Sequence, residues 1–304
     1  MSKRFDCIGL GITPADLLFE VRGYPKPGAK INATGLTVQG GGPVPNAMVT
    51  MARLGMTTAV ICAVGDDIMG RFVIDELRRE KVDTSLIITK KQSSAVAAGW
   101  VEQGSGRRTI ALDLKIRIAP RDIKLKEFPN TRVVHLDGRD MPACMKLARW
   151  ARRNEVIVSF DVGSMRNDVT EILPLVDHLV CAEDFALPYT RTRLARAAID
   201  RLRKICDGTI VITSGTRGSC GFSEEVGFVR QRAFKVNTVD TTGAGDTYHG
   251  AYLTGLLQGM NLEQRMAFAS AAAALKCAGS GARTAIPNRH RVRQLLKRGG
   301  PLYA

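Results

Sequence analysis

From about residue 130 onward, short apolar runs alternate with longer amphipathic stretches; the runs are Val133 to Leu136, Val156 to Phe160, His178 to Cys181 and Ile210 to Thr213. An apolar run of four or five residues suits a strand buried on both faces, and each amphipathic stretch is long enough to cross back over a sheet. The pattern predicts an α/β sandwich around a central, mostly parallel sheet. Neither a repeat nor a linker divides the sequence, so residues 1–304 read as one α/β domain.

The first third breaks the alternation. Cys7 to Gly11 reads as a central strand, but Leu17 to Val21, Lys30 to Gln39, Ala95 to Val101 and Thr109 to Leu114 look like short strands joined by Gly and Pro turns. Inserted between elements of a sandwich, they predict a small sheet over one end, a lid drawn from about residues 17–40 and 93–115. Gln103-Gly104-Ser105-Gly106 has the chemistry of a hairpin tip.

The stretch from Val236 to Ala251 carries the chemistry, with Asp240-Thr241-Thr242-Gly243-Ala244-Gly245-Asp246 at its centre and an apolar helix pattern after it. Gly243 and Gly245, with only Ala244 between them, let the backbone turn sharply and present consecutive N–H groups at a helix start. Such groups, aided by the helix dipole, bind phosphate oxygens. Asp246 falls in the first turn of that helix, where a carboxylate can accept an alcohol proton while the amides offset charge on a transferring phosphoryl group. The local field is expected to keep Asp246 ionised and so to lower its intrinsic basicity. A plain reading, turn glycines and an N-terminal helix carboxylate, fits the same residues.

Bulk properties narrow the class. No run approaches the roughly 18 to 20 apolar residues of a membrane helix, and the N-terminus passes within a few residues into a strand, so a cytoplasmic protein is expected. The seven cysteines form no CxxC pair and read as buried thiols, and the four histidines show no ligand spacing, so no zinc site is expected. The net charge of +15 is spread over helix-like segments with few interleaved aromatics. That distribution suits a solvated basic surface that attracts anionic substrates better than a nucleic-acid module.

DTTGAGDTYHGA resembles the C-terminal signature of PfkB (ribokinase-type) kinases, and Gln39 to Ala47 followed by Met51 to Gly55 resembles the N-terminal one. Further likeness lies in Gly9 to Asp16, Val64 to Asp67 with Gly70, and Ile212 to Gly218, in the order the family has them. The resemblance implies a ribokinase-like three-layer sandwich with a β-sheet lid, ATP and Mg2+ as cofactors, and a homodimer formed through the lid. By position it implies that Asp16, Gly41, Gly42 and Asn46 hold sugar hydroxyls and that Thr213, Gly215, Thr216 and Gly218 contact the nucleotide. Gly243, Ala244 and Gly245 would form an anion hole beside the base Asp246, and Asp240 and Thr242 would hold a monovalent cation such as K+. Where many members carry Asn-x-x-Glu this chain has Ala182-Glu183-Asp184-Phe185, which passes magnesium to Glu183 or Asp184 through water.

Within the family, Gly28 to Lys30, Gly40 to Pro43, His249 to Ala251 and Ala274 to Pro287 resemble the ketohexokinase and sulfofructose kinase branch. Lys30 and Arg139 would then bind an anionic tail on a ketose, while Leu112 and Asp113 fit a neutral sugar instead. A nucleoside kinase is the rival enzyme, with Phe19, Trp100 and Ile110 as the wall for a base. A sugar- or nucleotide-binding protein without turnover is the rival of another class, favoured by Ala182 and Phe185. No Walker A loop is present, and Gly9-x-Gly11 lacks the third glycine of a dinucleotide fingerprint.

Overall fold

The structure is a computed structural model that describes residues 4–104, 107–165 and 167–299. Ser105 and Gly106 of the expected hairpin tip lie outside the described residues.

Eight strands form the main sheet, in the order Gly227–Gln231, Ser219–Ser223, Thr209–Thr213, His178–Ala182, Ile157–Val162, Asn130–Leu136, Arg4–Leu10 and Thr58–Ile61. The six from Thr209–Thr213 to Thr58–Ile61 run parallel, and the other two continue the sheet antiparallel. Side chains alternate between two buried layers. Ile8, Leu10, Val134, Leu136, Ile210 and Ile212 meet the helices Met141–Arg153 and Ala195–Leu202 on one face. Cys7, Val133, Val180 and Val211 meet Pro43–Arg53, Ala244–Leu257 and Leu262–Cys277 on the other. This is the ribokinase-like three-layer arrangement that the alternating runs require.

Ala244–Leu257 is buried over most of its length, Thr247 to Gly255 without a break, because it lies between Pro43–Arg53 and Leu262–Cys277. A helix enclosed in this way has no polar stripe to satisfy, which explains its run of small and apolar residues. Its first turn is thereby held fixed at the end of the sheet where the parallel strands terminate.

A second sheet of four strands pairs Gly35–Gly40, Ala15–Val21, Val96–Glu102 and Arg108–Asp113 in that order. Chain segments 17–40 and 93–115 both contribute to it. The registers set its two faces: Asp16, Ala97 and Leu112 stand in one row, and Gly99 and Ile110 face the same way. Phe19, Leu36 and Trp100 form a row on the opposite face, where Val38 lies opposite Leu17. Among the described residues no helix is long and apolar enough to cross a membrane. The cysteines are free, all buried except the half-buried Cys277.

Candidate active site

The strand Arg4–Leu10 has its chain successor in the sheet, Thr58–Ile61, on one side and Asn130–Leu136 on the other. Strand order reverses at this point, and in open α/β sheets the crevice beyond the strands' C-terminal ends is where ligands bind. A cleft of about 770 Å³ opens there between the main sheet and the small one, a size suited to a small-molecule ligand.

Many of the residues singled out from the sequence line this cleft. Asp16, Gly42 with Asn46, Arg139 and Thr213 come from four separate segments, and Thr242, Gly243, Ala244, Gly245 and Asp246 form the turn into the buried helix. Gly41 lies just behind Asp16: a Cβ there would collide with its carboxylate oxygens. Gly243 adopts φ 74°, a left-handed conformation that glycine takes without strain, and this turns the chain into the helix. A Cβ at Gly245 would meet nothing within 4 Å, so the backbone there is open to a ligand. The Ala244 N–H donates to Thr241 O at 3.1 Å, whereas the Gly245 and Asp246 N–H groups are first-turn donors that a helix leaves without intrahelical partners.

Asp246 Oδ2 accepts a hydrogen bond from Asn46 Nδ2 at 2.7 Å, and Asn46 Oδ1 accepts from Arg283 Nε at 2.8 Å. Asn46 therefore serves the carboxylate directly, whatever it does for a sugar. Burial pushes the Asp246 carboxyl up to about 6, with the Asp161 charge adding and the Asn46 bond opposing. The expectation of a lowered basicity is overturned, because loss of water and a neighbouring acid outweigh the helix dipole.

Asp16, Asp137 and Asp161 line the same cleft as Asp246. Burial raises Asp16 and Asp161 to about 7 and Asp137 well above the usual range. Asp137 and Asp161 were not singled out from the sequence. Each closes an apolar strand run, directly after Leu136 and Phe160, and an acidic residue at the C-terminal end of a parallel strand was the available signal. Arg108, on the small sheet, also lines the cleft and was missed.

His135, Asp161 and His249 place one ligand-type atom each within 4.8 Å of one another, all three buried, although the histidines are far apart in sequence. His135 Nε2 and His249 Nδ1 have no hydrogen-bond partner among the described residues. Burial drives His249 down to about 4, so its 3.4 Å contact with Asp161 is made by an uncharged imidazole. Two imidazoles and one carboxylate suit zinc, whereas the magnesium of a nucleotide prefers carboxylates and phosphate oxygens.

Several of the expected residues lie outside the lining of the cleft. Lys30 is exposed on an irregular segment and does not line the cleft, so Arg108 is the cation that joins Arg139 there. Glu183 pairs with Arg217 instead of facing the cleft, and Asp184, its neighbour, lines it. Gly215, Thr216 and Gly218 belong to a turn outside the lining, closed by Ser214 N–H donating to Gly218 O at 2.8 Å. Of Phe19, Trp100 and Ile110, only Ile110 faces the cleft, because period-2 alternation puts the two aromatic residues on the other face.

The donors at Asp240 do not fit a monovalent cation. The Asp240 carboxylate accepts from the Thr242 and Gly281 N–H groups, each at 2.8 Å, and its carbonyl oxygen accepts from Lys276 Nζ at 2.7 Å.

Fold and site together define a ribokinase-like α/β kinase. The chain belongs to the pfkB family of carbohydrate kinases, whose family model matches residues 4–289. It is similar to a ribokinase of Haemophilus influenzae, 28% identical over 95% of this chain and 97% of that protein. It is also similar to a 5-dehydro-2-deoxygluconokinase of Geobacillus thermodenitrificans, 27% identical over 84% of each. Among solved structures, Arabidopsis thaliana ribokinase complexed with ribose and ATP has the same fold, with a TM-score of 0.84, 24% identity and coverage of 97% of this chain and 99% of that one.

Proposed function

We propose that this chain transfers the γ-phosphoryl group of ATP to a primary hydroxyl of a sugar of the ketose type, with Asp246 as general base. The observation that carries the reading is Asp246 itself: a carboxylate with raised basicity, aimed by Asn46 and placed one residue after the open amide of Gly245.

The sugar lies at the end of the cleft bounded by Asp16, Asn46 and Asp137. Carboxylates there accept hydrogen bonds from hydroxyls, and Asp16, carried on the small sheet, brings that sheet down as a lid when sugar binds. Closure excludes water that would otherwise hydrolyse ATP. The nucleotide enters past Thr213 and the turn Gly215 to Gly218. As the hydroxyl oxygen bonds to the γ-phosphorus and the bond to ADP breaks, its proton passes to an Asp246 carboxylate oxygen. First-turn amides offset charge on the moving phosphoryl group. Asp184 would hold magnesium through water, and the ion would neutralise phosphate charge.

Arg108 and Arg139 together give an anionic substituent a place in the cleft, which favours a sulfonated, phosphorylated or acidic ketose over a neutral one. The outer face of the lid carries Leu36, Val38, Phe19 and Trp100 at 53%, 44%, 39% and 36% exposure. Contiguous apolar side chains on a sheet face mark an interaction surface, here the contact between two lids of a homodimer. The assay for the activity is ADP release with Mg-ATP and fructose, ribose, sulfofructose, a ketose phosphate, a dehydro-deoxygluconate and adenosine, with D246N as control. Silence with every acceptor, while ATP still binds, would replace the kinase by a binding protein.

A further inference from the structure

Lysine is almost never fully buried unless paired, because withdrawing an ammonium from water costs several kcal/mol. Lys276 has no exposure at all and is one of the largest fully buried side chains of the protein. It stands in the last turn of Leu262–Cys277, where a cation also meets the negative end of the helix dipole. Its Nζ donates to Asp240 O at 2.7 Å, beside an Asp240 carboxylate that the neighbouring amides and the Lys276 charge hold ionised.

The position of this ammonium matters more than its strength. The Cys277 carbonyl, one residue on, accepts from the Val239 N–H at 2.8 Å, so lysine and helix end grip the same turn. Asp240 Oδ2 accepts from the Gly281 N–H, which ties the turn to the segment that carries Ala282 and Arg283. The carbonyl of Ala282 packs against Gly243, close enough that a Cβ there would approach to 2.9 Å. Arg283 holds Asn46, and Asn46 holds Asp246. A single buried cation thus sits at the root of both the turn that presents the amides and the bond that aims the base. Wherever Lys276 Nζ lies, a free monovalent cation would meet a like charge and a carbonyl already engaged.

We propose that Lys276 is a built-in cation that braces the Asp240–Gly243 turn, so that this kinase works without any external monovalent cation. The proposal rests on the phosphotransfer reading above and makes Lys276 a positioning residue, not a catalytic one.

The test has two arms. Turnover of the wild-type protein is measured in tetramethylammonium buffer while KCl or NaCl is added at constant ionic strength. It stays within about two-fold throughout, whereas activation of tenfold or more by K+ overturns the proposal even if no variant can be made. In K276A, kcat falls by tenfold or more with little change in the sugar KM, and K+, ammonium or methylammonium restores a large part of it. A folded K276A with wild-type turnover, or with a loss that none of these cations relieves, also overturns it. Thermal unfolding is followed in parallel: K+ raises the midpoint of K276A relative to tetramethylammonium and leaves the wild type unmoved. A wild-type midpoint that rises with K+ counts against the proposal. That arm needs no substrate, so failure of the kinase reading, seen as a wild type silent on every acceptor, is told apart from failure of the lysine.

Discussion

Asn46 and Asp246 are 200 residues apart in the chain and 2.7 Å apart in the fold. Their hydrogen bond joins the start of Pro43–Arg53 to the start of Ala244–Leu257, two helices packed along their length. The amide holds one carboxylate oxygen, and in the proposed reaction the other meets the acceptor hydroxyl.

Replacing Asp246 with Asn keeps the shape of the site and removes the proposed base. Sugar-dependent ADP formation is expected to fall about 10²- to 10⁴-fold, the usual contribution of general-base catalysis, with ATP affinity unchanged within a few-fold. Steady-state kinetics and nucleotide titration check this. Near-normal turnover in D246N would take Asp246 out of the reaction.

Since burial lifts Asp246 to about 6 and the Asn46 bond opposes that rise, kcat is expected to fall as pH drops through about 6. In N46A the restraining bond is gone, so the acidic limb moves to higher pH as well as lower amplitude. A pH–rate profile of both proteins decides it; an unshifted limb in N46A would mean that the limb belongs to another group.

Asp161 has a folded value of about 7 against 3.8 in an ordinary carboxyl, so the folded chain keeps a proton that the unfolded chain releases between about pH 4 and 7. The stability associated with that proton is present below pH 4 and lost as pH rises through 7. D161N is therefore expected to unfold roughly 5 °C higher than wild type at pH 8, with the gap closing towards pH 4. Scanning calorimetry across that range gives the answer, and a gap independent of pH would contradict it.

Gly250 lies in the middle of a helix, where alanine would ordinarily stabilise by about 1 kcal/mol. Here a Cβ would come within 2.5 Å of Ala47 O and 2.7 Å of Thr50 Cβ on the facing helix. Overpacking costs about 1–3 kcal/mol, so G250A is expected to lower the unfolding midpoint. By spreading the helix pair it also reduces kcat through the Asn46–Asp246 bond. A G250A protein more stable than wild type would show that the helices separate without penalty.

On the outer face of the lid, a charge in the apolar row should break the proposed lid–lid dimer. L36D is expected to sediment as a monomer at concentrations where wild type is dimeric. Wild type sedimenting as a monomer would remove the lid–lid contact.

The sequence by itself determined the architecture. Runs such as Val133 to Leu136 and Ile210 to Thr213 are too short and apolar for anything but strands covered on both faces, and the glycines before Asp246 mark a ligand-accepting turn. It also brought Asp16, Asn46 and Asp246 to notice, because those positions carry the family's pattern in local stretches. Only the tertiary structure decided which groups face one another. A one-residue step in a strand sends a side chain to the opposite face, which is why Ile110 reaches the cleft and Trp100 does not. Whether Asp246 is a weak or a strengthened base depended first on its burial and then on Asp161, which lies 85 positions away along the sequence and was brought close only by folding. Lys276 reads locally as a lysine near the end of a helix. Its burial against Asp240 is long-range packing, and charge that acts through space leaves no periodic trace in the order of residues.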